Sequence, residues 1–325
     1  MEKEKLLEVK NLRTVFELLD DRELVAVNDV SFDLYKKEIL GVVGESGSGK
    51  SVTMKSVLQL IPNPGKITAG EVLLDGVDIL KYSEKQMRNN VRGTKISMIF
   101  QEPMTTLNPS YTIGWQIDEV YRLHTKDNAA SRHEKAVDIM KKVSIPEPER
   151  RLKEYPHQYS GGMQQRAMIA IALACAPEIL IADEPTTALD VTVQADIMDL
   201  LEELRAKEDL SILLISHNLN LVMERSDRIM VMYAGRIVEI GKTEDIAANP
   251  LHPYTKGLMN SIPDMDNADQ KLTAIPGELP DLAAGMKGCL FSPRCPYATE
   301  QCKNNVPEIT EIEKGHFCRC HLVNK

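Results

Sequence analysis

Long apolar runs, an excess of positive charge and internal repeats are all missing from this 325-residue chain. Each absence excludes something. A membrane-spanning helix needs about 18–20 consecutive apolar residues, and the longest apolar stretch, Met168 to Ala176, is cut by Pro177 and Glu178. The chain is therefore not expected to cross a bilayer. Met1-Glu2-Lys3-Glu4-Lys5 runs directly into the alternating Leu6, Leu7 and Val9. No basic segment followed by a long apolar one is seen, so no secretory leader is expected and the compartment reads as the cytoplasm. Lys and Arg number 39 against 48 Asp and Glu, a formal net charge of −9, which is the wrong sign for wrapping nucleic acid phosphates with the whole surface. With 43 % hydrophobic and 27 % charged residues, disorder and low-complexity fibres are excluded as well.

What is present has two rhythms. Over the first two-thirds, short Val/Ile/Leu-rich runs at Ile39–Val43, Ile96–Phe100, Ile179–Ala182 and Ser211–Ile215 alternate with helical patterns, as in βαβ units around a largely parallel sheet buried on both faces. Ile197, Leu200, Leu201 and Leu204 recur at helical spacing, which predicts an amphipathic helix over Val193–Lys207. From Pro103 to about Gln158, helical segments at Trp115–Leu123 and Arg132–Val143 have no strand between them. They read as a helical subdomain inserted into an α/β core. After Gly241, eight prolines from Pro250 to Pro307 break every long periodicity. A small loop-rich appendage is expected at about 251–325, with little room for a core of its own.

The sharpest motif is Gly44-Glu45-Ser46-Gly47-Ser48-Gly49-Lys50-Ser51, which follows the apolar run 39–43 and opens a helix over Ser51–Leu60. Strand, glycine loop and helix in that order are the context a phosphate loop requires. Its glycines let consecutive N–H groups turn inward around phosphate oxygens, and the helix N-terminus adds its positive dipole end. Lys50 would reach the β- and γ-phosphates and the Ser51 hydroxyl would hold magnesium. A second acidic site fits the first: Ile179–Ala182 runs into Asp183-Glu184-Pro185, two carboxylates at the end of a buried strand, where ligands bind in open α/β sheets. Asp183 would act on magnesium and Glu184 could accept the proton of a water attacking the γ-phosphate.

Further pieces fall in an order that resembles the ATP-binding cassette (ABC) family over about residues 6–245. Gln101 matches its glutamine loop, Ser160-Gly161-Gly162-Met163-Gln164 its signature motif, Ala188-Leu189-Asp190 its D-loop and His217 its switch histidine. Singly, each has a plainer reading: a surface glutamine, a helix cap, a polar strand terminus. Tyr159 and Met163 depart from the usual Leu-Ser-Gly-Gly-Gln, while the serine and glycines are intact. A helix is expected from Met163 to Ala176. The resemblance implies a RecA-like parallel sheet core with an antiparallel β part and an inserted helical subdomain at about 103–160. It also implies a head-to-tail dimer sandwiching ATP between one chain's phosphate loop and the other's signature loop. Residues 44–52, ending in Val52, would bind the nucleotide; Ser51, Gln101 and Asp183 would hold Mg2+; Glu184, His217 and Gln101 would be catalytic. The adenine-stacking aromatic could be Phe16, upstream of the polar insert Asp20–Glu23, or Phe16 is a core residue of the first strand.

Within that family the resemblance is closest to the ATPase subunits of oligopeptide and dipeptide importers, with an ABC domain at 1–250 and a characteristic C-terminal domain at 251–325. Gln101–Pro109, Ala182–Thr192, His252–Thr255 and Gly288–Tyr297 carry it. It implies a second, homologous ATPase chain, two integral permease subunits, an extracellular substrate-binding protein and a peripheral place on the cytoplasmic face of the membrane. A nickel or other small-solute importer of the same subfamily is the alternative. A soluble cassette protein of DNA repair or translation would need two cassettes or a long coiled coil. Five of the six cysteines, Cys289, Cys295, Cys302, Cys318 and Cys320, lie in the Pro-rich tail, and none forms the C-x-x-C pair of a zinc ribbon. The spacing is compatible with a 4Fe–4S cluster, with Zn2+ or with free thiols. The importer pattern selects Cys289, Cys295, Cys302 and Cys320 as cluster ligands and leaves Cys318 spare. Cys175, alone among Ala and Ile, reads as a packed small hydrophobe.

Overall fold

The computed structural model describes residues 4–19, 22–187, 189–261, 275–285 and 287–323, and it divides into two compact units, 1–80 with 215–325 and 81–214. In chain order the elements are β1 (Lys5–Glu17), β2 (Glu23–Tyr35), β3 (Ile39–Val43), α1 (Lys50–Val57), β4 (Gly65–Leu74) and β5 (Val77–Asp78). The second unit follows with α2 (Glu84–Asn90), β6 (Ile96–Ile99), α3 (Pro103–Thr106), α4 (Ile113–His124), α5 (Ala129–Lys142), α6 (Pro148–Arg151), α7 (Gly161–Leu173), β7 (Ile179–Asp183), α8 (Val191–Glu208) and β8 (Ser211–Ile215). The first unit then resumes with α9 (Leu219–Arg225), β9 (Arg228–Tyr233), β10 (Arg236–Lys242), α10 (Thr243–Ala248), α11 (Pro253–Asn260), α12 (Glu300–Asn304), β11 (Thr310–Glu313) and β12 (His316–Cys318). Among the described residues no helix is long and apolar enough to cross a membrane.

In the first unit, β2-β1-β4-β5 form an antiparallel sheet and β11-β12-β10-β9-β3 lie in order in another. There β3 and β9 pair in parallel, while β9, β10, β12 and β11 pair antiparallel. All five residues of β3 are buried, the pattern of a strand covered on both faces. In the second unit the order is β8-β7-β6, with β6 and β7 parallel, and β7 and β8 buried throughout. The alternation expected of a parallel α/β core is therefore seen within each unit. No strand interrupts the described residues between β6 and β7, as the helical pattern of that stretch predicts.

Helix boundaries differ from the sequence expectation for local reasons. Thr112 caps α4 by accepting from the Trp115 N–H at 3.2 Å, and Asn128 caps α5 by accepting from Ser131 at 3.0 Å. Each helix thereby starts earlier than expected, α4 at Ile113 and α5 at Ala129. The helix after the Ser-Gly-Gly starts at Gly161 rather than Met163, because the Ser160 hydroxyl accepts from the Met163 N–H at 3.3 Å and tolerates two glycines in the first turn. It ends at Leu173 rather than Ala176, since Pro177 disfavours helical backbone before it and Ala176 has φ 48°. Cys175 accordingly lies past the helix end, half-buried.

The tail has a core after all, because it borrows one. β12 pairs with β10, setting Cys318 opposite Glu239 and Phe317 opposite Ile240. Phe291 packs edge-on against Tyr233 with centroids 5.2 Å apart and within 5.5 Å of Tyr254, all three buried. The buried Glu239 carboxylate accepts from the backbone N–H of Leu251 at 2.8 Å and of His252 at 2.9 Å, and pairs with His316 Nε2 at 2.8 Å. A charge taken so far from water persists only when its lone pairs are satisfied. His252, also buried, accepts the Tyr254 N–H at its Nδ1 (3.0 Å) and so caps α11.

Burial pushes the His252 imidazole down to about 3. Unfolding exposes a ring that takes up a proton below about pH 6.5, so this part of the stability is complete above that value and is lost as pH falls toward the folded value. Each pH unit in the window costs about 1.4 kcal/mol from this group. His252→Asn keeps an acceptor for the Tyr254 N–H without the titration. Urea midpoints at pH 7.5 and 5.0 should fall further for the wild type than for the variant; equal falls would refute the assignment.

Candidate functional site

The loop after β3 is shaped by what surrounds it. A Cβ on Gly44 would lie 2.2 Å from the Met232 carbonyl oxygen, and one on Gly49, at φ 99°, would lie 2.6 Å from that of Ala26. Only glycine fits either position. α1 begins directly after Gly49, so its first N–H groups face the loop with the helix dipole behind them. Lys50 turns back over the loop, its Nζ donating to the carbonyls of Gly44 (2.7 Å) and Glu45 (3.0 Å) and to Ser48 Oγ (3.4 Å). Ser46 and Gly47 form the turn of the loop, and Ser51 and Val52 follow in the first turn of α1, half-buried. A cation braced over a ring of backbone donors is the chemistry of an anion site. Phe16, on β1, is half-buried and packs against Gly65, whose added Cβ would sit 2.7 Å from its ring. Asp20 and Asp21 of the polar insert lie outside the described residues.

In the second unit, Asp183 ends β7 with 4 % of its surface exposed, and Glu184 follows in the left-handed region at φ 49°. Non-glycine residues hold that backbone at a cost of about 1–3 kcal/mol, which concentrates at functional sites. The Glu184 carboxylate accepts from Gln101 Nε2 at 2.7 Å and from the Thr187 hydroxyl at 3.0 Å. The structure thus brings together Gln101 and Glu184, 83 positions apart; neither this contact nor the part of Thr187 was foreseen.

The remaining motif residues occupy helix starts and turns. Ser160 is the cap of α7, Gly161 and Gly162 form its first turn, and a Cβ on Gly162 would meet Val193 at 2.8 Å. Met163 is half-buried, whereas Gln164 is buried and donates from Nε2 to the carbonyls of Pro156 (2.9 Å) and Tyr159 (3.4 Å), an internal brace. Asp190 caps α8, accepting from the Val193 N–H at 3.0 Å; Ala188 lies outside the described residues. His217 stands exposed in the turn between β8 and α9.

Sequence reasoning missed the company the phosphate loop keeps. Arg294 forks onto the Glu45 carboxylate at 2.8 and 3.0 Å, and the Tyr254 hydroxyl accepts the Glu45 N–H at 2.8 Å. Only the distinctive stretches around His252–Thr255 and Pro293–Pro296 hinted at it, and they did not say what they touch. The tail thiols are all free. Burial pushes Cys289 up to about 11, with Cys302, Cys320 and Cys295 adding to the effect in that order; Cys295 and Cys320 are raised by burial and by Cys302. Cys318, raised most by burial, has Glu239 as its leading charged neighbour. Among the described residues no group of three or more His, Cys, Asp or Glu is placed to hold a metal ion.

Two family models match the chain: ABC transporter over residues 27–187, and the oligopeptide/dipeptide transporter C-terminal region over residues 238–302. A probable peptide ABC transporter ATP-binding protein of Sinorhizobium fredii is 48 % identical over 322 residues, spanning 98 % of this chain and 96 % of its own. The dipeptide transport ATP-binding protein DppD of Escherichia coli is 47 % identical over 296 residues, spanning 91 % and 90 %. DppD of Bacillus subtilis is 47 % identical over 320 residues, spanning 98 % and 95 %. Among solved structures, a dimeric bacterial ABC transporter cassette matches with a TM-score of 0.65 at 27 % identity, covering 73 % of this chain and 98 % of that one. The same cassette in a post-hydrolysis state bound to ADP and phosphate matches equally. The loop, the acidic strand end and the fold thus define a nucleotide-hydrolysing cassette. The chain belongs to the ABC transporter ATPases, with the C-terminal region of the oligopeptide/dipeptide transporter type, and its activity is ATP binding and hydrolysis.

Gly49→Ala places a methyl group against the Ala26 carbonyl at a left-handed position. The expected result is a loss of about 1–3 kcal/mol in stability together with loss of the upward shift in melting temperature that Mg-ATP gives the wild type. Thermal unfolding with and without nucleotide reads both.

Proposed function

We propose that this chain is the ATPase subunit of an importer for oligopeptides or dipeptides, bound peripherally at the cytoplasmic face of the membrane. A second homologous ATPase, two integral permease subunits and an extracellular substrate-binding protein would complete it. What carries the reading is that the likeness to peptide and dipeptide transport ATPases spans 98 % of the chain for the Sinorhizobium fredii relative and includes the tail region. An ABC domain at 1–250 followed by a C-terminal domain at 251–325 is the corresponding division.

In this reading residues 44–52 bind the phosphates of ATP, with Lys50 on the β- and γ-phosphates and Phe16 against the adenine. Ser51, Gln101 and Asp183 would hold Mg2+; Asp183 stands buried at the end of a strand, where ligands bind in open α/β sheets. Bound there, the metal would neutralise charge on the β- and γ-phosphates. Glu184 takes the proton of the attacking water, and its hydrogen bonds from Gln101 and Thr187 fix the carboxylate for that task. His217 positions the γ-phosphate. Ser160, Gly161, Gly162, Met163 and Gln164, with Asp190, serve the nucleotide held by the partner ATPase. Gln164 does so by bracing the loop from inside.

An apolar groove lined by Phe100, Leu107, Tyr111, Trp115, Met168 and Ile171 supports coupling to a permease. Phe100 and Tyr111 are 37 % and 42 % exposed, Tyr111 stacks on Trp115 at 3.9 Å, and Gln101 adjoins the groove in sequence. A docked segment there would pull on the residue that orients Glu184.

The proposal includes a 4Fe–4S cluster on Cys289, Cys295, Cys302 and Cys320. Its support is that Cys302, Cys320 and Cys295 all lie near enough to Cys289 to raise its thiol, and that Cys295 and Cys302 do the same to Cys320.

Two measurements test these roles. Glu184→Gln should bind ATP as the wild type does while turnover falls by about 100-fold or more; near-normal turnover would remove Glu184 from the role. Protein purified without oxygen should carry about four iron and four acid-labile sulfide per chain, whereas about one zinc per chain would replace the cluster with a structural ion.

A further inference from the structure

The phosphate loop is held from outside by the tail. Glu45 is anchored at two points: Arg294 forks onto its carboxylate at 2.8 and 3.0 Å, and its N–H is taken by the Tyr254 hydroxyl at 2.8 Å. Its carbonyl is thereby free to face the other way, where it accepts from Lys50 Nζ at 3.0 Å and from the Ser48 N–H at 3.1 Å. Arg294 is itself rigidly held. Its side chain is 6 % exposed, its Nε donates to the Pro276 carbonyl at 2.8 Å, a terminal nitrogen donates to the Ile275 carbonyl at 3.2 Å, and its guanidinium lies 5.8 Å from the Tyr233 ring centroid. A planar fork fixed on all sides orients a carboxylate in a way a flexible ammonium does not.

The charge balance is as telling as the geometry. A glutamate on a loop built for phosphates places a negative charge where an anion must come, and the loop can afford it only if a fixed cation faces it. Arg294 is that cation, reached across 249 positions of sequence. We propose that Arg294 is a positioning residue for ATP binding: by neutralising and orienting Glu45 it keeps the phosphate loop and Lys50 in the receptive arrangement, so that the tail is a part of the nucleotide site. The adjoining Cys295 places this contact one residue from the tail's thiol group, so an unfolded tail would be read at the nucleotide.

The inference rests on ATP binding at residues 44–52 and is independent of the solute transported. The test is the Mg-ATP dissociation constant of the full chain, by calorimetry, for the wild type, Arg294→Gln, Arg294→Lys, Glu45→Gln and the double variant Glu45→Gln/Arg294→Gln. Arg294→Gln leaves Glu45 uncompensated and should weaken ATP about tenfold or more. Arg294→Lys, which keeps the charge without the fork, should fall between it and the wild type. Removing the carboxylate as well should recover at least about threefold relative to Arg294→Gln. Thermal midpoints without nucleotide separate a purely structural role, which lowers the midpoint of Arg294→Gln and leaves the affinity of the folded protein unchanged. Such a result, or a double variant no tighter than Arg294→Gln, overturns the proposal. Lys50→Ala, which should abolish binding, checks the underlying site: retained affinity there would move the nucleotide elsewhere and remove the premise instead.

Discussion

A loop that binds phosphate must leave backbone N–H groups unpaired at the end of a buried strand, and that constraint governs much of the first unit. The strand before it is buried along all five residues, so the loop's shape cannot be bought by fraying. It is enforced by neighbours: the Met232 carbonyl against Gly44, the Ala26 carbonyl against Gly49, and a hydrogen bond from the Gly235 N–H to the Ser48 carbonyl at 2.9 Å. Two segments far apart in sequence, β2 and the β9–β10 hairpin, thus converge on one turn. Lys50, whose ammonium donates to the carbonyls of Gly44 and Glu45, supplies positive charge at the loop.

The second unit faces a related problem with the opposite charge. Asp183 and Glu184 are adjacent in sequence yet differ in surroundings: the first is buried at the strand's end, the second turns through a left-handed backbone into contact with Gln101 and Thr187. The separate roles proposed for the two carboxylates would call for separate environments. The strained backbone at Glu184 provides that separation within one residue, because it breaks the alternation that would otherwise continue the strand.

The sequence was most legible where structure is local. The runs Ile39–Val43 and Ser211–Ile215 coincide with β3 and β8, since continuous burial leaves a compositional trace. The phosphate loop and the Asp183-Glu184 pair were readable because their chemistry is fixed by neighbours in the chain. Helix ends were less readable, as the Asn128 cap draws in Ala129–Ser131, which carry no apolar stripe, and the Thr112 cap starts α4 two residues early at the buried Ile113. Pairings over long separations left no trace at all. Nothing near Glu45 announces Arg294, nothing near Glu239 announces His316, and no spacing reveals that Pro-rich residues after 251 would find a core by laying a strand on β10. The cysteines lie between these cases: their clustering in sequence is plain, but only the fold sets Cys318 beside Glu239 as well as Cys320.

The pairing of β12 with β10 has a consequence for how the molecule is made. β10 is synthesised well before β12, and until β12 arrives the edge of β10 is open and Glu239 lacks its histidine. An open edge beside apolar residues is an invitation to other chains. The hairpin closes it and presents β11 outward, where Glu311 and Glu313 discourage further pairing. Maturation of the first unit is therefore completed from its far end, and chains that stop short would be marked by their stickiness rather than by any missing motif.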